Sequence, residues 1–346
     1  MAESLQTNDM KSNDKILLDV RGLKKYFPIQ SGMLRRVTGY VKAVDDVNFF
    51  VREGETLGLV GESGCGKTTA SRTVIRLYEQ TGGEAYFRSH QLGLVNIFDL
   101  DKDQMKLLRQ EISMIFQDPV NSLNPRMSVF DIVSEPMVIH KHGSRSEMEE
   151  TVVSLLERVG LRAEHMRRYP HEFSGGQRQR IGIARALSLH PQLIFCDEPV
   201  SALDVSIQAQ TLNLLQDLQH DFKLSYVFVA HDLSVVQHIS DRVAVMYVGK
   251  MAEVAASDVL YNNPLHPYTE ALMSSVPKPD PKYESERVIM QGDVADPSNP
   301  PSGCYFHPRC QYAKDICSQK EPEFRELEHD HFVACHRAEE LNLRGV

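Results

Sequence analysis

The chain has 346 residues and a formal net charge of −9, from 38 Lys and Arg against 47 Asp and Glu. This length fits one large domain with an appendage, or two small domains. Nucleic-acid binding needs a basic face, and pairs such as Arg35-Arg36 and Arg167-Arg168 are too short to supply one. No apolar run approaches the roughly 18 residues of a membrane span. Residues 1–4 are polar and unlike a secretory signal, so we expect the chain to stay in the cytoplasm.

The first part of the chain is predicted to be rich in β-structure. Residues 16–20 and 44–51 are short apolar runs of the kind that form strands. The segment 28–40 between them is longer than a hairpin turn requires, which predicts an insertion. Residues 1–13 are mostly polar and are predicted to be disordered.

A glycine-rich segment with the spacing G-x-x-x-x-G-K-T follows the apolar run 56–60. A strand, a glycine-rich turn and a helix that begins at Lys67 make an anion site, because backbone N–H groups and the helix dipole favour negative charge. Lys67 can reach the β- and γ-phosphates of a nucleotide, and the Thr68 hydroxyl can ligate Mg²⁺. A glycine-rich turn that binds nothing is the alternative, and the Lys-Thr pair directly after the last glycine argues against it. The loop consists of Gly61, Glu62, Ser63, Gly64, Cys65, Gly66, Lys67 and Thr68.

Two acids end the apolar run 193–196, namely Asp197 and Glu198. A buried strand that ends in acids is costly unless the acids face a cation. Asp197 is therefore predicted to support Mg²⁺, and Glu198 to orient or deprotonate an attacking water. Two solvated acids at a strand edge are the alternative, which the phosphate loop disfavours.

Three polar residues follow apolar runs or the acids. Gln117 follows 112–116, His231 follows 226–230, and Asp204 lies just after the acids. A lone Gln or His after a strand is more often structural. Their order along the chain, after a phosphate loop, favours a role at the nucleotide.

Residues 119–185 have helical spacing, with an amphipathic pattern over 149–159 and a further helix over 179–189. Before that last helix stands Phe173-Ser174-Gly175-Gly176-Gln177. Ser174 and the two glycines form a second helix N-terminus suited to phosphate. The chain has no second phosphate loop to serve it, so a facing subunit must supply the phosphate.

These motifs, in this order, resemble those of the ATP-binding subunits of ABC transporters over residues 14–260. The resemblance implies an α/β P-loop NTPase core with an antiparallel β subdomain, an inserted helical signature subdomain and a small cysteine-rich C-terminal extension. It places a disordered N-terminus at 1–13, the ABC ATPase domain at 14–262 with the helical subdomain at about 119–185, and the extension at 263–346.

The resemblance also implies a role for each site residue. ATP is bound by the loop residues with Thr69, and Mg²⁺ by Thr68, Gln117 and Asp197. Glu198, His231 and Gln117 are catalytic. The signature residues Ser174, Gly175, Gly176 and Gln177, with Asp204, contact the nucleotide of a facing subunit. Phe27 is the first candidate to stack on adenine, followed by Tyr26, and Tyr40 is a competitor because the insertion blurs the register.

A narrower resemblance, to the F-type subunit of dipeptide and oligopeptide importers, lies in Gln117-Asp118-Pro119, in residues 122–126 and 169–173, and in residues 263–269. It implies an ATPase that energises peptide import from the cytoplasmic face of the membrane. The implied partners are a second ABC ATPase subunit, identical or related, two integral membrane permease subunits and, indirectly, an extracytoplasmic solute-binding protein, but no nucleic acid. Import of nickel, glutathione or sugars, or a non-transport ABC ATPase, are the alternatives.

Four of the six cysteines lie near the end of the chain, with the spacing C-x5-C-x6-C-x17-C. In a cytosolic protein such a group favours a metal over disulfides. Four thiolates suit tetrahedral zinc or an iron–sulfur cluster, and the wide spacing favours iron–sulfur. The peptide-importer resemblance implies a [4Fe–4S] cluster at Cys304, Cys310, Cys317 and Cys335. Two alternatives are zinc, for which His307, His331 and His336 are nearby as further ligands, and free thiols that bind no metal.

Overall fold

The computed structural model describes residues 15–32, 36–276, 288 and 290–345. The disorder predicted for residues 1–13 lies outside the described residues. The strands are β1 Ile16–Ser31, β2 Arg36–Arg52, β3 Thr56–Val60, β4 Gly82–Ser89, β5 Gly93–Asn96, β6 Ile112–Ile115, β7 Leu193–Asp197, β8 Ser225–Val229, β9 Arg242–Tyr247, β10 Lys250–Ala256, β11 Arg325–Glu328 and β12 His331–Val333. The helices are α1 Lys67–Val74, α2 Lys102–Glu111, α3 Val129–Ile139, α4 Arg145–Arg158, α5 Gly175–Leu187, α6 Val205–Phe222, α7 Leu233–Ile239, α8 Ser257–Asn262, α9 Pro267–Met273 and α10 Asp315–Gln319.

The larger sheet has eight strands in the order β11-β12-β10-β9-β3-β8-β7-β6. Strands β9, β3, β8, β7 and β6 are parallel to one another. They are short apolar runs because both faces are covered. In β8, Tyr226 and Phe228 pack into the hydrophobic core on one face, and Val227 and Val229 into the core on the other.

The smaller sheet is antiparallel, in the order β2-β1-β4-β5. The segment 28–40, predicted to be longer than a hairpin turn requires, extends β1 and β2 as a long ladder whose last described pair is Ser31 with Arg36. β4 pairs with β1 only as far as Lys24. Beyond that point β1 has β2 as its only partner among the described strands, and a proline such as Pro28 is tolerated in an edge strand.

Three helices, α3, α4 and α5, lie between β6 and β7 in the chain and pack against one another. Their shared core contains Val133, Leu156 and Ile183, all fully buried. Helical structure begins at Val129, later than the periodicity from residue 119 predicts. Residues 119–128 form turns, in which Ser128 caps α3.

The last part of the chain adds two strands to the larger sheet. β12 pairs with β10, and β11 pairs with β12. Glu253 of β10 is fully buried. Its carboxylate accepts hydrogen bonds from the N–H groups of Leu265 (2.7 Å) and His266 (2.9 Å), and His331 Nε2 lies 2.7 Å from it. Glu253 therefore joins β10, the segment before α9 and β12.

Across the described residues, no helix combines the length and the apolar character that crossing a membrane requires.

We expect Glu253→Ala to lower the free energy of unfolding by about 3 kcal/mol, because it leaves two backbone N–H groups and a buried imidazole without their acceptor. Urea unfolding measures the loss, and hydrogen exchange should show faster exchange in β12. The matched control is Glu339→Ala, which removes an exposed ion pair with Arg325 and should change stability by less than about 1 kcal/mol. Equal effects of the two substitutions would contradict this role of Glu253.

Candidate active site

The phosphate loop connects β3 to α1 and fits closely against its neighbours. A Cβ atom at Gly61 (φ 147°) would lie 2.1 Å from the Met246 carbonyl oxygen, and one at Gly66 (φ 110°) would lie 2.2 Å from that of Ala43. Positive φ and this close approach both require glycine. β2 and β9 therefore determine the shape of the loop.

Lys67 is buried, and its ammonium donates hydrogen bonds to the carbonyl oxygens of Gly61 (2.6 Å) and Glu62 (3.1 Å). The charge thus lies inside the turn of the loop. The Cys65 thiol is buried beneath it, and burial raises the pKa of that thiol. A thiol held neutral leaves the ammonium as the local charge of the loop.

Asp197 at the end of β7 is fully buried. The Thr68 hydroxyl donates to one of its carboxylate oxygens (2.7 Å), and the Arg72 guanidinium contacts the other (3.1 Å). Neutral and acidic oxygens side by side suit a hard cation such as Mg²⁺. Arg72, on α1, was not predicted from the sequence, because a basic residue on a helix has no distinctive spacing.

Glu198 is held by two side chains that the sequence singled out. Gln117 Nε2 donates to Glu198 Oε2 (2.9 Å), and His231 Nδ1 lies 3.2 Å from the same oxygen. Glu198 itself has a positive φ of 46°, which is uncommon for a residue with a side chain and is characteristic of functional sites. The carboxylate is 15 % exposed and His231 57 %, so this group lies where water can reach it.

Ser174 caps α5 through a capping box with Gln177, and Ser174 and Gly175 are exposed. A Cβ at Gly176 would lie 2.6 Å from Ile207 Cγ2. Ile207 lies in the first turn of α6, which Asp204 caps. The second predicted phosphate site and Asp204 are therefore neighbours, and both lie at helix N-termini.

The three aromatic candidates differ in their contacts. The Tyr26 hydroxyl donates to Asp45 (2.5 Å), and burial and this hydrogen bond raise its pKa. The Phe27 ring meets Tyr78 edge to face, at 5.7 Å between centroids. Tyr40 is 52 % exposed. The order of preference, with Phe27 first, stays a prediction.

Two residues from the last part of the chain contact the phosphate loop, and the sequence had not indicated either. The Tyr268 hydroxyl accepts the N–H of Glu62 (2.9 Å). The Arg309 guanidinium donates two hydrogen bonds to the Glu62 carboxylate. Both residues are distant from the loop in sequence, and neither belongs to a recognisable nucleotide-binding motif.

The four C-terminal cysteines line one small cavity of about 20 Å³. Cys304 donates its N–H to the Cys317 carbonyl (2.8 Å), and Gly303 permits this approach, since its Cβ would lie 2.3 Å from the same oxygen. Burial raises the pKa of Cys304 to about 12 and that of Cys335 to about 11. Without a cation these thiols are neutral, so metal binding must release protons.

The spacing of these sulfur atoms bears on the metal. A tetrahedral zinc with Zn–S bonds of about 2.3 Å brings its sulfurs to within about 3.8 Å of one another. Among the described residues, no three of these cysteines have sulfur atoms that all lie within 4.8 Å of one another. An iron–sulfur cluster separates its ligands further, since each sulfur binds a different iron. Four thiols around one cavity are a donor set of the kind that such a cluster takes.

Strands β3, β8, β7 and β6, with the loops that follow them, thus bring together six side chains: Lys67, Thr68, Asp197, Glu198, Gln117 and His231. Three parts are needed to transfer a phosphoryl group to water. They are a loop that holds a cationic side chain, here Lys67, a group of oxygen ligands for Mg²⁺, and a carboxylate in a fixed position, here Glu198. Ser174 and its neighbours form a separate site at the start of α5.

Comparison with known proteins agrees with this chemistry. Residues 44–201 match the ABC transporter family, and residues 252–317 match the C-terminal region of oligopeptide/dipeptide transporters. The oligopeptide transport ATP-binding protein AppF of Bacillus subtilis is 55 % identical over 94 % of this chain and 98 % of its own length. OppF of Escherichia coli, also named an oligopeptide transport ATP-binding protein, is 49 % identical over 96 % of this chain and 100 % of its own.

Two further similarities extend the comparison. The dipeptide transport ATP-binding protein DppF of Haemophilus influenzae is 46 % identical over 95 % of this chain and 98 % of its own length. Among solved structures, the dimeric ATP-binding cassette MJ0796, in a post-hydrolysis state with ADP and Pi, has a TM-score of 0.61 and 27 % identity. It covers 70 % of this chain and 99 % of its own.

We expect Glu198→Gln to lower the rate of ATP hydrolysis by about a thousandfold, because it removes a general base. The affinity for MgATP should be retained, since Lys67, Thr68 and Asp197 are unchanged. Hydrolysis and equilibrium binding, measured on the same preparation, check both expectations. A hydrolysis rate near that of the parent would exclude Glu198 as the base.

Proposed function

Because the chain belongs to the family of oligopeptide and dipeptide transport ATP-binding proteins of ABC transporters, we propose that it hydrolyses ATP to drive peptide import through a membrane permease. The observation that carries the hydrolytic part is the Glu198 carboxylate, held by Gln117 and His231 next to Asp197. The observation that carries the peptide part is similarity to peptide transport ATP-binding proteins over nearly the whole chain.

Each residue of the site then has a role in binding or hydrolysing ATP. Backbone N–H groups of the loop and Lys67 bind the β- and γ-phosphates, and Thr68, Asp197 and Gln117 surround Mg²⁺, directly or through water. Glu198 takes a proton from the attacking water, and His231 orients Glu198. Catalysis of this kind relies on positioning and on charge stabilisation. Phe27, or failing it Tyr26, stacks on adenine.

The signature residues of this chain serve the nucleotide of a facing subunit. Helix α5 presents its N-terminus, with the exposed Ser174 and Gly175, as a phosphate site. A head-to-tail dimer places that terminus over the phosphate loop of the partner, and Asp204 lies at the same interface. The similar cassette MJ0796 is described as dimeric with ADP and Pi. Two ATP molecules then join the subunits, and hydrolysis separates them.

The permease docks beside Gln117. Val120, in the loop after Gln117, and Val138 and Ile139, at the end of α3, are each more than half exposed. Large apolar side chains that are left exposed support a contact surface here. Closure of the dimer moves this surface and thereby the permease, which places the chain peripherally on the cytoplasmic face of the membrane, with a solute-binding protein on the other side.

The arrangement of domains follows from these roles. Residues 14–262 form the ATPase domain, in which about 119–185 is the helical subdomain that presents the signature. Residues 263–346 form the extension that carries the cysteines. The extension uses Cys304, Cys310, Cys317 and Cys335 to bind a [4Fe–4S] cluster, supported by the four cysteines lining one cavity and by four thiolates being the usual ligands of such a cluster. Its role is structural, because these residues do not belong to the catalytic group.

The identity of the imported solute can be tested with the complete transporter, in which this chain is reconstituted into vesicles with its permease and binding protein. Peptides of two to five residues should stimulate ATP hydrolysis and accumulate inside vesicles, whereas nickel, glutathione and sugars should do neither. Accumulation of one of those other solutes without peptide uptake would replace the peptide assignment and leave the ATPase assignment intact.

We expect Ser174→Arg to abolish most hydrolysis at the phosphate loop of the opposite subunit, while binding at the loop of its own chain persists. Photolabelling of each subunit with an azido-ATP, after assembly with an unmodified partner, separates the two loops. Ser144→Arg is the matched control, because Ser144 caps α4 with the same kind of capping box away from the signature. A defect confined to the loop of the substituted chain would exclude the head-to-tail arrangement.

We expect protein purified without oxygen to be brown and to contain about four irons per chain. Cys310→Ser should remove the colour and speed hydrogen exchange after residue 300, with basal hydrolysis largely retained. Cys65→Ser, which changes a cysteine of the phosphate loop, should keep the iron. One zinc and no iron by metal analysis would replace the cluster with the zinc alternative.

A further inference from the structure

The C-terminal extension reaches the phosphate loop through one ion pair. Arg309 Nη1 and Nη2 lie 2.7 and 3.1 Å from the two carboxylate oxygens of Glu62. The Arg309 side chain is 8 % exposed and that of Glu62 23 %. A two-pronged pair of this kind fixes orientation as well as charge.

The position of Arg309 is fixed by a short turn and by the aromatic residues that pack beneath it. It ends a short 3-10 turn, and its N–H donates to the Phe306 carbonyl (3.0 Å). The buried Phe306 ring packs against Tyr247 and Tyr268, at 5.2 and 5.3 Å between centroids. Tyr268 in turn accepts the Glu62 N–H. Both the backbone and the side chain of Glu62 are therefore positioned by residues that lie more than 200 positions later in the chain.

The charge of Glu62 matters for binding because this residue lies in the phosphate loop. Its carbonyl oxygen accepts a hydrogen bond from Lys67 (3.1 Å), and it stands in a loop that binds a polyphosphate. A carboxylate there has the same sign of charge as the ligand and opposes its binding. Pairing with a guanidinium cancels that charge and directs the carboxylate toward the extension.

We propose that Arg309 is a positioning residue for ATP binding: it neutralises Glu62 and holds it in place, so that the phosphate loop accepts the polyphosphate. The extension thereby contributes to nucleotide affinity. This inference concerns ATP binding alone and does not depend on which solute is imported.

The test compares three variants of the complete chain. Arg309→Gln should weaken MgATP binding about tenfold, which corresponds to about 1.4 kcal/mol, because the Glu62 charge is left unpaired. Glu62→Gln should tighten binding several-fold, because the Arg309 charge is then unopposed. The double variant should return to an affinity close to that of the parent, as expected for two residues that act through each other.

Calorimetric titration with MgATP measures these affinities, and the complete transporter supplies KM and kcat. Arg309→Gln should raise KM about tenfold and change kcat less than twofold, and Arg309→Lys should restore part of the affinity by retaining the charge. A purely structural Arg309 would instead lower the amount of active protein without this split between KM and kcat.

The matched control is Arg52→Gln. Arg52 also joins the ATPase core to the extension by an ion pair, with both carboxylate oxygens of Asp330 at 2.8 and 2.7 Å, but neither residue lies in the phosphate loop. Its substitution should leave MgATP affinity unchanged. Equal loss of affinity in Arg52→Gln, no loss in Arg309→Gln, or no recovery in the double variant would each overturn the inference. If Arg309→Gln does not fold, weaker binding by Glu62→Gln alone overturns it.

Discussion

Four neighbouring parallel strands end level with one another, and the nucleotide site depends on this alignment. Leu59 of β3 pairs with Val229 of β8, Val229 pairs with Asp197 of β7, and Cys196 pairs with Ile115 of β6. The phosphate loop, Glu198 and the loops with Gln117 and His231 begin just beyond these positions. Groups up to 170 residues apart in the chain, such as Gly61 and His231, meet because parallel strands present their carboxyl ends at one edge. If one strand shifted by one residue, its side chains would turn to the other face of the sheet. The site residues that follow that strand would then no longer meet the others.

The two adjacent acids, Asp197 and Glu198, have different surroundings. Asp197 is fully buried, and its charge is balanced by Arg72 and by the Thr68 hydroxyl. A buried carboxylate with fixed partners is suited to a cation. Glu198 takes a positive φ that directs it away from the strand, toward Gln117 and His231. In the function we propose, these different surroundings suit Asp197 to Mg²⁺ and Glu198 to the attacking water, although the two residues are adjacent in the chain.

The sequence predicted those parts of the site in which the spacing of residues determines the chemistry. The phosphate loop, the two acids, Gln117 and His231 follow strands whose apolar runs are unmistakable, and the parallel sheet brings them together as expected. The long β1–β2 ladder was missed, because polar residues and Pro28 conceal an exposed strand that is paired on one side only. Arg72, Tyr268 and Arg309 were also missed. Each of these residues contacts a segment that is distant in the sequence, and no local pattern of residue types predicts such a contact.

The C-terminal extension is structurally part of the ATPase core, which explains how a late segment can affect an early loop. β12 lies next to β10 in the main sheet, and the buried Glu253 joins both to the segment before α9. From this joined unit, Tyr268 and Arg309 contact Glu62, and the preceding Gly61 packs closely against the Met246 carbonyl group. A close-packed core transmits displacement because it has little free volume. The turn that carries Arg309 is followed directly by Cys310, so a group bound by these cysteines would lie next in the chain to the residue that we propose neutralises Glu62.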